Sequence, residues 1–295
     1  FEGFFFFFWE RGRVFDPELW ASVGRIVEDV ARRGDEALFA YTAKWDEHAV
    51  TAGTVEVSAK ERKEAAQRID PRDREILGLA AERIGRFHER QRQEGWSVTD
   101  EEGVVLGQSL LPLARVAVYA PGGLASYPST VLMAAIPARI AGVGEIVLAT
   151  PCRDGRLHPM IAAATELAGV DRIFKIGGAQ AIAALAFGTA SIPPVDKIVG
   201  PGNAYVAAAK KMVFGRVAID MIAGPSEVLV IADGTGDAAF AAADLLAQAE
   251  HDETASAFLL TPDEAFARAV AAEADRQLES LPRRAIASRS LEAFG

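Results

Sequence analysis

The chain has 295 residues, half of them hydrophobic, and a formal net charge of −10. That length suits two domains with ample apolar core, and the acidic balance argues against nucleic acid as a partner, because phosphate binding needs a basic face. The single cysteine, Cys152, excludes an internal disulfide framework and a Cys-rich zinc module; it reads as a bystander, and a reducing, cytoplasmic setting is expected.

Residues 1–15 read as an N-terminal arm. The stretch FEGFFFFFWERGRVF has no initiator Met and carries phenylalanine at every position from 4 to 8. It lacks the basic start and small-residue cleavage site of a secretory signal. Two readings stand: the edge of a fragment, or a hydrophobic arm that docks on a partner subunit. No apolar run reaches the roughly 18 residues of a membrane span.

Asp16-Pro17-Glu18 is a helix-start signal. The helix runs to Arg33 and Gly34 ends it. A short helix follows with Ala37, Leu38, Tyr41 and Trp45. Asp70-Pro71 repeats the start signal, and Ile76, Ala80, Ile84 and Phe87 recur at three- and four-residue steps, which predicts an amphipathic helix to about Gln93. His88 in its charged half, and His48 and His158 in polar turns, read as solvated side chains rather than ligands.

From Arg115 the texture changes to short apolar runs that alternate with Ala-rich helical runs. RVAVYA leads to PGGLASYPST and a helix through Ile140; EIVLAT leads to a helix around Ile161 to Ala168. RIFKIGG leads to AQAIAALAFG, and DKIVGPGN to AYVAAAKKMV. RVAID, EVLVIAD, a helix from about Asp237 to Glu250, SAFLLT and a helix from about Asp263 to Leu278 complete the pattern. Strands alternating with helices predict an α/β fold with parallel sheets, and the continuous apolar strands imply cover on both faces.

In such sheets ligands bind beyond the carboxyl ends of the strands. Those ends are glycine-rich: Pro121-Gly122-Gly123, Gly177-Gly178 and Gly200-Pro201-Gly202-Asn203. A helix starts after each, and its free N–H groups suit a phosphate. Any one of these loops is equally well explained as a tight turn, and the Gly200 stretch lacks the third glycine of the usual dinucleotide fingerprint. Three in one sheet favour a nucleotide crevice. Ser226, in the Gly-Pro-Ser turn before EVLVIAD, either caps that turn or faces the site; there is no G-x-S-x-G elbow, which argues against a serine nucleophile. In LLAQAEHDET, Gln248 and His251 stand three apart and would share a helix face. Spacing alone leaves two readings, half of a metal site or one polar helical turn, since zinc normally takes three or four protein ligands.

Several long strings, in order, resemble the histidinol dehydrogenase family: VYAPGG, YPSTVLM, PARIAG, GGAQAIAALAFGT, DKIVGPGNAYV, AIDMIAGPSEVLVIAD and LLAQAEHD. The resemblance runs from about Leu19 to the C-terminus and is strongest from Arg115 to Thr261. It implies NAD-dependent, four-electron oxidation of L-histidinol to L-histidine through the aldehyde, the last step of histidine biosynthesis, with zinc holding the substrate and a homodimer as the assembly. Tyr119, Gln180 and Asn203 match the family's NAD-contacting positions. Ser226, Gln248 and His251 match substrate-contacting positions, and Gln248 and His251 also match two zinc ligands. The resemblance further implies two Rossmann-like domains, one inserted in the other: a discontinuous domain from 16–118 and 226–295 on the metal and substrate side, an inserted one at 119–225 on the NAD side, and the site between them.

One departure concerns the catalytic machinery. The family's Glu-His acid–base pair, a zinc-binding Asp and a final zinc-binding His lie beyond Gly295, so the resemblance implies a C-terminally truncated chain, with a natural short form as the other reading. The Glu-His pairs present, Glu47-His48 and Glu250-His251, lie in the wrong region and on the metal helix respectively. A related dehydrogenase of another polar alcohol and a non-catalytic ligand-binding protein remain open as readings. No acidic residue stands out to select NAD over NADP.

Overall fold

The computed structural model describes residues 17–46, 48–122, 127–152 and 154–295. The expected N-terminal arm with its phenylalanine run, Asp16, Glu47 and Gly123 fall outside the described residues. Two compact units divide the chain, one up to Ala223 and one from Gly224 to Gly295.

The first unit is organised by a five-stranded parallel sheet: β3 (Arg115–Tyr119), β4 (Glu145–Ala149), β5 (Arg172–Phe174), β6 (Lys197–Val199) and β7 (Ala218–Ile219), in the spatial order β5-β4-β3-β6-β7. Strand side chains alternate between faces, and the core divides accordingly. Ala117, Tyr119, Val147, Ala149 and Phe174 join one cluster with helices α1 (Pro17–Arg33), α2 (Asp35–Trp45), α7 (Gly178–Phe187) and α8 (Ala204–Val213). Val116, Val118, Ala120, Ile146, Leu148 and Ile173 join a second with α3 (Ala59–Ala66), α4 (Pro71–Glu89), α5 (Pro128–Ile140) and α6 (Pro159–Ala168). Cover on both faces explains the unbroken apolar strands.

Helix α1 carries Val23, Ile26, Val27 and Val30 at three- and four-residue steps, and that stripe is its buried face. The stripe packs on α7 and α8. Helices α1 to α4 therefore lie with the five-stranded sheet. Pattern shows that a face is apolar but not which surface it meets. Helix α4 starts at Asp70, whose carboxylate caps Arg72 N–H, and stops at Glu89 rather than near Gln93. The polar run after it offers no buried residue to extend the stripe.

Four elements have no counterpart in the sequence analysis. Helix α3 is capped by Ser58 and adds only Ala65 and Ala66 to the core. Strands β1 (Trp96–Thr99) and β2 (Val105–Gln108) form an antiparallel hairpin whose residues are all exposed. Helix α11 (Arg284–Phe294) buries only Ala287 and Ser290. Each has too short an apolar stripe to stand out in a sequence.

In the second unit, β8 (Glu227–Ile231) and β9 (Ser256–Leu260) pair in parallel around α9 (Ala238–Ala249), followed by α10 (Glu264–Leu278) and α11. Asp237 and Asp263 cap α9 and α10 through their carboxylates. Val228, Val230, Ala257 and Leu259 face the helices, while Leu229, Ile231 and Leu260 are exposed. EVLVI, expected to be covered on both faces, is thus covered on one by the described residues. Cys152 is buried in the second core cluster of the first unit, and burial pushes its thiol up to about 12. It behaves as a small apolar side chain.

Candidate functional site

Strand order places the crevice. The chain starts the sheet at its centre with β3, builds outward through β4 and β5, then returns to lay β6 and β7 on the other side. The connections from β3 and β6 therefore leave in opposite directions, which opens the sheet at their carboxyl ends. The loops that the sequence singled out meet there. A Cβ built on Gly200 would lie 2.1 Å from the carbonyl oxygen of Tyr119, and Gly200 has φ +118°, so only glycine fits this crossing of backbones. One on Gly122 would lie 2.5 Å from the Pro151 oxygen, and one on Gly177 2.7 Å from the Pro151 ring. The ends of β3, β4, β5 and β6 are thus drawn together.

Two of the three residues expected on the dinucleotide side are deeply buried in this crevice. Tyr119, the last residue of β3, is 4% exposed, and its hydroxyl accepts the Gly178 N–H at 3.0 Å. Burial pushes the phenol up to about 12 against the opposing pull of that N–H. Gln180, in the first turn of α7, is 1% exposed, and its Oε1 has no hydrogen-bond partner among the described residues. Leaving a buried acceptor unmet costs about 1–3 kcal/mol, so this oxygen is a ready contact for a ligand donor. Asn203 is exposed and caps α8, its Oδ1 accepting Val206 N–H at 3.1 Å. It positions the helix N-terminus behind the loop at 200–203.

The raised Tyr119 pKa has a checkable sign. The phenol titrates near 10 when unfolded and near 12 when folded, so the folded state resists losing the proton. Its stabilising share is whole below pH 10 and is lost as pH rises through 12, about 2–3 kcal/mol in all. Tyr119→Phe orphans the Gly178 amide and should cost about 1–3 kcal/mol at pH 8. In urea titrations the gap between the parent and this variant should shrink between pH 10 and pH 12; a gap that stays constant over that window means the Tyr119 proton is not linked to folding.

Sequence reasoning missed an ion pair beside these loops. Lys210 of α8 is 2% exposed, pairs with the Asp220 carboxylate, and donates to the Gly200 carbonyl at 2.9 Å. Asp220 accepts the Gly200 N–H at 2.7 Å through its other oxygen. The available signal was a lysine inside the apolar AYVAAAKKMV run, combined with an acid just after a strand.

Ser226, Gln248 and His251 all belong to the second unit. Ser226 is exposed directly before β8, and its carbonyl accepts the Ser256 N–H at 3.0 Å. Gln248 lies in the last turn of α9, but that helix ends at Ala249, and His251 sits in the turn beyond it. Its N–H still bonds to the Gln248 carbonyl at 3.1 Å. The two are therefore coupled by a tightened helix end rather than by a shared helical face. Arg283 donates to the His251 carbonyl at 3.2 Å, and Asp252 closes the next turn on Thr254. Because α9 runs back from the carboxyl end of β8 to the start of β9, all three candidates gather at the amino ends of the two strands, opposite to where the strand-end rule looks. His48, His88 and His158 serve locally: the His48 ring lies against Gly155, His88 bonds Gln91, and His158 caps α6 by accepting Met160 N–H.

Among the described residues no three His, Cys, Asp or Glu side chains group as metal ligands. An imidazole and an amide oxygen are donors of acceptable type, yet two fall short of the three or four that zinc takes from protein. The described residues alone do not complete a zinc site.

The family model described as histidinol dehydrogenase matches residues 10–295. This chain belongs to the histidinol dehydrogenase family. The histidinol dehydrogenase of Geobacter metallireducens is 54% identical over 286 residues, covering 97% of this chain and 66% of that protein. That of Syntrophotalea carbinolica is 56% identical over 285 residues, with the same shares. The crystal structure of histidinol dehydrogenase from Elizabethkingia anophelis superposes with a TM-score of 0.88 at 41% identity, over 94% of this chain and 64% of that one. The chain thus spans about two thirds of the length of these histidinol dehydrogenases, and the α/β, parallel-sheet architecture expected from the sequence is theirs.

Proposed function

We propose that the chain supplies the dinucleotide crevice and part of the substrate side of an enzyme that oxidises L-histidinol to L-histidine through the aldehyde, with two NAD molecules reduced in turn. The observation that carries the reading is the buried Gln180 Oε1, without a partner among the described residues, near Tyr119 at the strand-order reversal, in a chain matched to this family from residue 10 onward. When bound, NAD supplies the hydride acceptor. Tyr119, Gln180 and Asn203 would contact it, with the Tyr119 phenol kept protonated by its burial. Ser226, Gln248 and His251 would hold the substrate, and Gln248 and His251 would donate to a zinc ion that needs further ligands. None of the described residues is assigned as the general base. The reading includes a cytoplasmic homodimer, and no helix among the described residues is long and apolar enough to cross a membrane.

The test is NAD binding by titration calorimetry, followed by absorbance at 340 nm with L-histidinol and with an alcohol lacking the imidazole. NAD should bind, and Gln180→Ala should weaken it at least about tenfold, a difference of about 1.4 kcal/mol. NADH formed with histidinol alone supports the substrate. NADH formed equally with both alcohols points to a broader alcohol dehydrogenase. Binding without NADH supports the dinucleotide crevice but not the oxidation, for which none of the described residues is assigned as the base, and no NAD binding ends the reading.

A further inference from the structure

Lys210 is a charge in an apolar place. It sits in the middle of α8 among Val206, Ala207, Ala208, Ala209 and Val213, all buried. An apolar side chain of similar size would fill that space at no loss of stability, since a buried ion pair seldom outweighs its own desolvation. What an apolar residue cannot supply is direction. The Lys210 ammonium donates to the Gly200 carbonyl, while the Asp220 carboxylate accepts the Gly200 N–H and also the Met221 N–H at 2.7 Å. One ion pair therefore grips both polar groups of the one residue whose backbone crosses Tyr119 at the centre of the crevice.

We propose that Lys210 and Asp220 are a positioning pair that sets the loop at 200–203 to present its amides, and the start of α8, to the phosphates of a bound dinucleotide. This rests on the dinucleotide reading above. Neither side chain touches the ligand; both act through Gly200. The ordinary alternative is a pair that only steadies the fold, as Arg172 and Glu56 do at the amino end of the same sheet, where Nε and Nη2 of Arg172 donate to the two oxygens of Glu56 at 2.9 and 2.7 Å.

The experiment compares Asp220→Asn, Lys210→Met, their combination and Arg172→Met with the parent chain. NAD affinity is read by titration calorimetry, and amide exchange of residues 200–206 by mass spectrometry without ligand. Asp220→Asn and Lys210→Met should each raise the Kd for NAD at least tenfold, and the combination no further, because the two act as one unit. Exchange across 200–206 should quicken by at least tenfold in these variants and stay at the parent rate in Arg172→Met, which should also keep the parent Kd. If Lys210→Met does not fold, Asp220→Asn, which keeps the shape of the side chain, carries the test. Unchanged exchange and a Kd within twofold of the parent overturn the proposal, as does an equal weakening in Arg172→Met. A parent that binds no NAD overturns the dinucleotide reading and the phosphate role with it, while the exchange rates still decide whether the pair holds the loop.

Discussion

Gly200→Ala should destabilise the chain by about 2–6 kcal/mol and abolish measurable dinucleotide binding. Two independent costs add. The added methyl would stand 2.1 Å from the Tyr119 carbonyl oxygen, and the atom it meets is backbone of the central strand, which cannot swing aside. Relieving such overpacking takes about 1–3 kcal/mol of displaced structure. The φ of +118° adds strain of about 1–3 kcal/mol for any residue with a Cβ. Relief requires the loop after β6 to move away from β3, which also breaks the grip of Lys210 and Asp220 on its peptide. Urea unfolding followed by circular dichroism, with NAD titration on the folded fraction, reads both effects. A midpoint within about 0.5 kcal/mol of the parent would show that the loop has room the structure denies it. Gly215→Ala is the comparison that separates the two costs: its φ is +99° but nothing lies within 4 Å of its Cβ, so strain remains and the collision does not.

Phe174→Ala should cost about 3–5 kcal/mol. Phe174 closes β5, has no exposed surface, and belongs to the cluster that joins the sheet to α1, α2, α7 and α8. The Arg172 guanidinium lies 4.9 Å from its ring centroid, so truncation also loses a cation–π contact of about 0.5–1 kcal/mol. The ring stands one strand away from Ala149 and a short step before Gly177-Gly178, so the cavity opens beneath the crevice. Weakened NAD binding should accompany the loss of stability. Phe240→Ala provides the contrast: at 74% exposure it should shift the midpoint by less than about 0.5 kcal/mol. Equal losses at the two positions would contradict the burial that distinguishes them.

Much of this architecture was legible in the residues. The alternation of RVAVYA, EIVLAT, RIFKIGG and DKIVGPGN with Ala-rich runs announced parallel strands and crossover helices, because a strand covered on both faces has no use for polar residues. Asp70, Asp237 and Asp263 marked helix starts that the structure realises with carboxylate caps, because four free N–H groups at a helix start demand an acceptor. The loops at 121–122, 177–178 and 200–203 were visible as glycine where strands end. The start of α11, the exposed β1–β2 hairpin and the end of α4 were not, since each depends on small or absent burial.

The composition and local pattern of this chain by themselves determined its α/β class, most of its helix starts, its glycine loops and, through long matching strings, its family. These are local properties, set by backbone sterics, capping and the period of burial. Only the tertiary structure decided that the loop after β6 crosses the end of β3 at a reversal of strand order, that Gln180 is left with an oxygen unmet among the described residues, and that helices α1 to α4 cover the five-stranded sheet. It also placed His251 just past the end of its helix and brought Lys210 and Asp220 onto one glycine. Those facts depend on which residues distant in sequence become neighbours. A hydrogen-bond partner ten or sixty residues away leaves no periodic trace in the chain that supplies it.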